Sequence, residues 1–173
     1  MKKHTTFLLA LVLAMIMFSC KKESFNGLSD VRPAIPVTVT NAVDYRPEPT
    51  VATSLSAGGG IQIVLAIPAN SGRTIKEITR IAISTTYTKI QGTTGLWNSA
   101  PIPVNSTTWT FNTSLAEYTS KGGGAIPGKG LNTTDGQIST TTGTETSNRF
   151  YFLITLDDGS QIIPESVRVL VTN

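Results

Sequence analysis

From Arg149 to Leu156 apolar side chains recur at alternate positions, as Phe150, Phe152, Ile154 and Leu156, before the polar run Asp157-Asp158-Gly159-Ser160. Val167, Val169 and Val171 then resume the same rhythm. A period of two places these residues on one face of an extended chain, which a helix would scatter around its circumference. Asp and Gly at the break satisfy the backbone of a reverse turn. The segment therefore predicts a β-hairpin of Arg149–Leu156 with Gln161–Thr172. Pro164 has no N–H to donate, so the second strand should be bulged or at a sheet edge there, with regular pairing from Ser166 onward.

The rest of the body carries the same signature. Thr, Ser, Gly and β-branched residues dominate it, and Ala, Leu, Glu and Lys are too sparse and badly spaced for a long amphipathic helix. Val37-Thr38-Val39-Thr40 alternates as a half-buried strand. Ile61, Ile63, Leu65 and Ile67 share a face between Gly58-Gly59-Gly60 and the turn cluster Pro68-Ala69-Asn70-Ser71-Gly72. Val64 and Ala66 between them are also apolar, which marks this strand as central. Ile78, Ile81, Ile83 and Thr85 belong to an extended segment running from after Arg73 to near Gln91-Gly92, and Thr107 to Phe111 turns Trp109 and Phe111 inward. Ser114-Leu115-Ala116-Glu117-Tyr118 is the one place for a helical turn. Gly122 to Asn148 is polar and rich in Gly and Thr, with a short strand expected at Gln137 to Thr140. The fold class is all-β: about seven strands in an antiparallel β-sandwich, with a barrel as the alternative architecture. The pattern over Val37 to Asn173 resembles immunoglobulin-like and fibronectin-like domains, although no Cys pair marks it.

The amino-terminal residues set an address. Met1-Lys2-Lys3-His4 is followed by an apolar run from Phe7 to Phe18 and then by Ser19-Cys20-Lys21-Lys22. That run spans about 18 Å as a helix, against a hydrocarbon core of about 30 Å. It reads as a cleaved signal; an uncleaved anchor or a buried helix is the alternative. Met17-Phe18-Ser19-Cys20 resembles a lipobox, with Met17 where Leu is more usual. The resemblance implies cleavage before Cys20, acylation of Cys20, and anchoring by several acyl chains, which hold far more firmly than one. Lys21 and Lys22 follow Cys20 with no retention Asp, and Phe18 to Glu23 is similar to lipoproteins of Bacteroidetes. The implied location is the outer membrane, facing the periplasm or the cell surface. The expected divisions are 1–19 signal peptide, 20–36 lipidated Cys20 and a polar tether, and 37–173 a single domain.

Charge narrows the partners. The formal net charge is +3, but Lys2 and Lys3 belong to the signal, and from Val37 onward nine basic residues balance nine acidic ones. Nucleic acid binding requires a basic stripe, and none is present. The expected partners are the membrane, through the lipid, and other envelope proteins or a glycan.

The chemistry available to the mature chain is limited. His4, the only histidine, lies in the signal, and Cys20 is the only cysteine. Ser-His-Asp and Cys-His nucleophilic sites and ordinary zinc sites are thereby excluded, and no metal or cofactor is expected. Gly123 to Gly130 matches a phosphate loop until Gly130 stands where Ser or Thr should bind magnesium, and no helix former follows. It reads as a loop. Asp157 and Asp158 could contribute to a calcium site or an acid pair, but turn geometry already accounts for both. Trp97, in Gly95-Leu96-Trp97-Asn98-Ser99, and Tyr87 near it in sequence are the candidate ligand or partner contacts. An exposed Trp can stack on a sugar or seed an interface, whereas a buried one would close the end of the core. The expected function is a non-enzymatic binding or accessory module of the envelope, resembling the Ig-like modules of glycan-uptake systems, or a structural spacer. A carboxylate-dependent glycosidase is the alternative, with Asp157 or Glu117 as its acid.

Overall fold

The computed structural model describes residues 33–126 and 144–173. Among these the chain is mostly β, in three sheets with no barrel. Ten strands are present: β1 (Thr38–Val39), β2 (Thr50–Ser54), β3 (Gly60–Ala66), β4 (Ile75–Ser84), β5 (Ile102–Ser106), β6 (Thr108–Ser114), β7 (Thr144–Glu145), β8 (Arg149–Leu156), β9 (Gln161–Ile162) and β10 (Arg168–Thr172). Two short helices, α1 (Thr88–Gln91) and α2 (Leu115–Ser120), interrupt them. The sheets have the orders β1-β3-β6, β2-β10-β7 and β5-β4-β8-β9.

The period-two segments became strands with their apolar faces inward. Ile61, Ile63, Leu65 and Ile67 are buried, and β3 is the middle strand of its sheet. Phe111 on β6 meets Phe150 and Phe152 on β8 at ring distances of 5.6 and 5.9 Å, so the β3/β6 sheet faces the β4/β8 sheet across an aromatic core. Trp109 joins it, stacked on Phe111 and edge-on to Phe152. The result is sandwich-like. On β4 the inward residues are Ile75, Ile78, Ile81 and Ile83, a spacing that strict alternation forbids. Register shifts between Ile75 and Glu77 and between Ile78 and Arg80 absorb the extra residues.

Three sequence expectations need correction. Gln161 to Thr172 is not one strand paired throughout with β8. Only β9 forms the hairpin, with Ile154 opposite Ile162 and Thr155 opposite Gln161. After Pro164 the chain leaves this sheet, touches β8 once at the Phe150–Val167 bridge, and enters another sheet as β10. There β10 runs parallel to β2, Arg168 opposite Thr50 through Thr172 opposite Ser54, so the fold is not purely antiparallel. Pairing is regular only from Arg168. A proline without a donor ends the first ladder, and burial of Val167, Val169 and Val171 drives the second. The third correction concerns the segment after β4, which ends at Ser84 and is followed by α1 instead of an extended chain to Gln91.

Helix α2 forms where a helical turn was expected. Ser114 is its N-cap, its hydroxyl accepting the Glu117 N–H at 3.2 Å. Leu115 and Tyr118 are its buried residues. At the amino-terminal side Ile35 and Val37 pack against the core, so chain assigned to the tether already touches the domain at Ile35. Cys20 and the signal, most of the tether, the second half of the Gly123 to Gly130 loop and the strand expected at Gln137 to Thr140 lie outside the described residues.

Candidate functional site

Trp97 and Tyr87 are held by opposite faces of the β4/β8 sheet. The Trp97 ring lies edge-on to Phe111 and Phe150, 5.6 Å from each, on the core side. Tyr87 lies edge-on to Tyr151 at 6.3 Å. Phe150 and Tyr151 are consecutive on a strand, so their side chains point to opposite faces. One ligand cannot bridge the two candidates through the sheet.

The loop bearing Trp97 is fixed by hydrogen bonds along β4. The Trp97 N–H donates to the Ile81 carbonyl at 2.7 Å, and the Asn98 side-chain oxygen accepts the Ile81 N–H at 2.7 Å. Asn98 Nδ2 donates to the carbonyls of Thr79 and Ala100 at 3.2 and 2.8 Å. Asn98 thus continues the ladder where β5 ends, opposite Ile78. Lys121 Nζ donates to the Trp97 carbonyl at 2.9 Å and stands 5.3 Å from the ring centre. A half-buried indole with rings on one side and an ammonium near it closes the end of the core. Tyr87 is 47% exposed and remains available for contact.

Beneath Tyr87 is a small second core on the outer face of the sheet. Ala82, Ile90, Tyr151 and Leu153 are buried there, with Leu96 and Ile163 packed against them. Helix α1 supplies Ile90, and Arg80 Nη1 donates to the Gln91 carbonyl at 2.9 Å at the helix end. The exposed hydroxyls of Thr86 and Thr88 lie 3.0 Å apart.

The acidic candidates are engaged in structure. Asp158 accepts the Ser160 hydroxyl at 2.6 Å and its N–H at 2.9 Å, and pairs with Arg73 Nη2 at 2.9 Å. These contacts, the Ser160 hydroxyl foremost, hold its carboxyl below the usual value of 3.8. Asp157 accepts the Thr74 N–H at 3.3 Å and lies 3.9 Å from Arg73 Nη1. Glu117 accepts the Thr113 hydroxyl at 2.8 Å. Gly123, the first described residue of the phosphate-loop lookalike, lies over Tyr118, where a Cβ would approach the ring to 2.4 Å. That glycine is required by packing.

One charged constellation had no sequence signal. Glu48 accepts the Ser166 hydroxyl at 2.6 Å, lies 2.9 Å from Arg149 Nε with the N–H off-axis, and is 4.0 Å from Arg168 Nε. Arg168 also pairs with Glu145. The cluster ties the loop before β2 to β7, β8 and β10, and its members are far apart in the chain. Among the described residues no group of three or more acidic, His or Cys side chains could hold a metal. An open groove of about 360 Å³ is lined by Ala116, Thr119, Ala125 and Ile126. No match to the chain was found among protein-family models, curated proteins or solved structures.

Proposed function

We propose that this chain is a lipid-anchored envelope protein whose β-domain is a non-enzymatic binding or accessory module. The anchor rests on the lipobox resemblance of Met17-Phe18-Ser19-Cys20, with Cys20 as the acylated residue and the outer membrane as the destination. The domain is of immunoglobulin-like type in this reading. Its support is connectivity: β3 pairs with β6, β4 with β8, and the last strand crosses to run parallel beside β2.

The observation that carries the non-enzymatic reading is that the candidate acids Asp157 and Glu117, and Asp158 beside them, are each held by local partners: Asp157 by the Thr74 N–H and Arg73, Glu117 by the Thr113 hydroxyl, and Asp158 by Ser160 and Arg73. A glycosidase acid needs a raised pKa and a second carboxylate across a cleft. Asp158 is shifted downward and bonded to Ser160 and Arg73 inside a hairpin turn. Binding then falls to side chains such as Tyr87, with other envelope proteins or a glycan as the partner class. Crosslinking in the native membrane, followed by purification through a C-terminal tag and mass spectrometry, tests this. Capture of an envelope transporter or glycan-uptake assembly, lost in Tyr87→Ser, supports the accessory reading; recovery of the protein without any partner overturns it and leaves direct glycan binding, or the glycosidase alternative, to be tested on the soluble domain. Replacement of Cys20 by Ser should abolish both the acyl mass increment and the cleavage before residue 20, read by intact-protein mass spectrometry.

A further inference from the structure

The β1-β3-β6 sheet ends in two unequal edges. β1 is two residues long, and β6 is seven. The Ile67 N–H donates to the Thr107 carbonyl at 2.9 Å and the Leu115 N–H to the Gly59 carbonyl at 2.8 Å. With Trp109 opposite Leu65, Phe111 opposite Ile63 and Thr113 opposite Ile61, the odd-numbered residues of β6 exchange bonds with β3. Antiparallel alternation then sends the backbone N–H and C=O groups of Thr108, Thr110 and Asn112 away from β3. Among the described residues no strand pairs with that side of β6; the Thr108 N–H alone finds a side chain, the Ser106 hydroxyl at 3.3 Å.

β5, joined to β6 by Thr107, shows how this protein blocks an edge. Pro101 just before the strand and Pro103 within it bear no N–H, Asn105 has a φ of 53°, and a register shift bends the strand between its contacts with Ile75 and Glu77. Proline and bulges are the usual guards against edge-to-edge pairing. β6 has neither. It reads Thr108-Trp109-Thr110-Phe111-Asn112-Thr113-Ser114, with no charge and no proline, and with β-branched and aromatic residues that favour extended pairing.

We propose that the edge of β6 facing away from β3 pairs antiparallel with β6 of a second copy of this chain, about a twofold axis through Phe111. This register uses the whole strand: Thr110 stands opposite the second copy's Asn112, and Thr108 opposite its Ser114. The outward N–H and C=O groups of Thr110 and Asn112 meet their counterparts in the second copy, and every facing pair is uncharged, so the centre of the edge is complementary to itself. The two sheets join into one of six strands. Growth stops there, because the outer ends of the joined sheet are the two-residue β1 strands, and an isologous contact closes at two. One ladder buries little area, so the dimer is weak, and confinement to a shared surface would strengthen it.

Sedimentation velocity over a concentration series of the full-length protein in mild detergent tests it. The wild type should move from monomer to dimer as concentration rises. Thr110→Pro deletes an outward N–H and no bond to β3, so it should keep its circular dichroism and weaken the dimer by at least about tenfold. Should Thr110→Pro lose its fold, Asn112→Lys decides, because it places two ammonium groups beside the joint without altering the backbone. A wild type that stays monomeric, a dimer with unchanged concentration dependence in the folded variants, or assemblies larger than two would each overturn the proposal.

Discussion

β8 buries side chains on both faces, and the two faces do different work. Toward β3 and β6 it presents Phe150, Phe152, Ile154 and Leu156 to an aromatic core in which Phe111 touches Trp97, Trp109, Phe150 and Phe152. Toward the outside it presents Tyr151 and Leu153 to a cluster closed by Ile90 of α1 and rimmed by exposed Tyr87. The inner region joins two sheets. The outer one fastens one short helix and its loop to a sheet already formed. Apolar burial alone therefore does not rank the two regions; what matters is how many elements each contact holds together.

The largest effect should come from Phe111→Ala, which empties the centre of the inner cluster. A loss of about 3–5 kcal/mol in denaturant unfolding is expected, enough to leave the domain marginal. Ile90→Ala in the outer cluster should cost about 2–3 kcal/mol at most, because the α1 loop can settle onto the gap. Hydrogen exchange should then show opening confined to residues 85–98. Equal costs for the two variants, or global opening in Ile90→Ala, would break the distinction.

Tyr118 sharpens it from the inner side. Burial pushes its phenol above the usual 10.0, and its hydroxyl donates to the Asn148 carbonyl and accepts the Asn148 N–H, each at 3.1 Å. The neutral form is the one the fold favours. Its contribution is full below the unfolded value and is lost as pH rises through the higher folded value. Unfolding midpoints should fall on the alkaline side, and Tyr118→Phe should flatten that limb while costing about 1 kcal/mol at neutral pH. A wild-type alkaline limb identical to that of the variant would remove Tyr118 from the account. The smallest effect belongs to Tyr87→Ser, expected within about 0.5 kcal/mol of wild type by thermal unfolding. A larger loss would mean that Tyr87 closes the outer cluster and is not a free contact residue.

Much of this comparison was legible in the sequence on the inner side. Alternation identified β3, β8 and the inward turn of Phe111, and Ser114 to Tyr118 was the one place that offered a helical turn. The outer cluster was not legible, because Ala82, Ile90, Tyr151 and Leu153 follow no common period; they meet only when α1 folds back over β4 and β8. Trp97 was hidden for a related reason. Its loop has no alternation, and it is held by the side chain of Asn98 substituting for a strand beside Ile81. Glu48 gave no signal either, since Ser166, Arg149 and Arg168 approach it only after β10 has crossed to β2.

The sequence by itself determined that β3, β8 and the chain around Phe111 are extended, which of their faces are apolar, that a helical turn lies at Ser114 to Tyr118, and that the described chain brings no histidine or cysteine to its chemistry. These are local properties, carried by periodicity, turn residues and residue identity. Only the tertiary structure decided that the chain would abandon β8 after Pro164, run parallel beside β2, assemble the Glu48 cluster and separate Trp97 from Tyr87 by a sheet. Pairing partners depend on which apolar faces can be buried together, and that is a property of the whole packed core, not of any one segment.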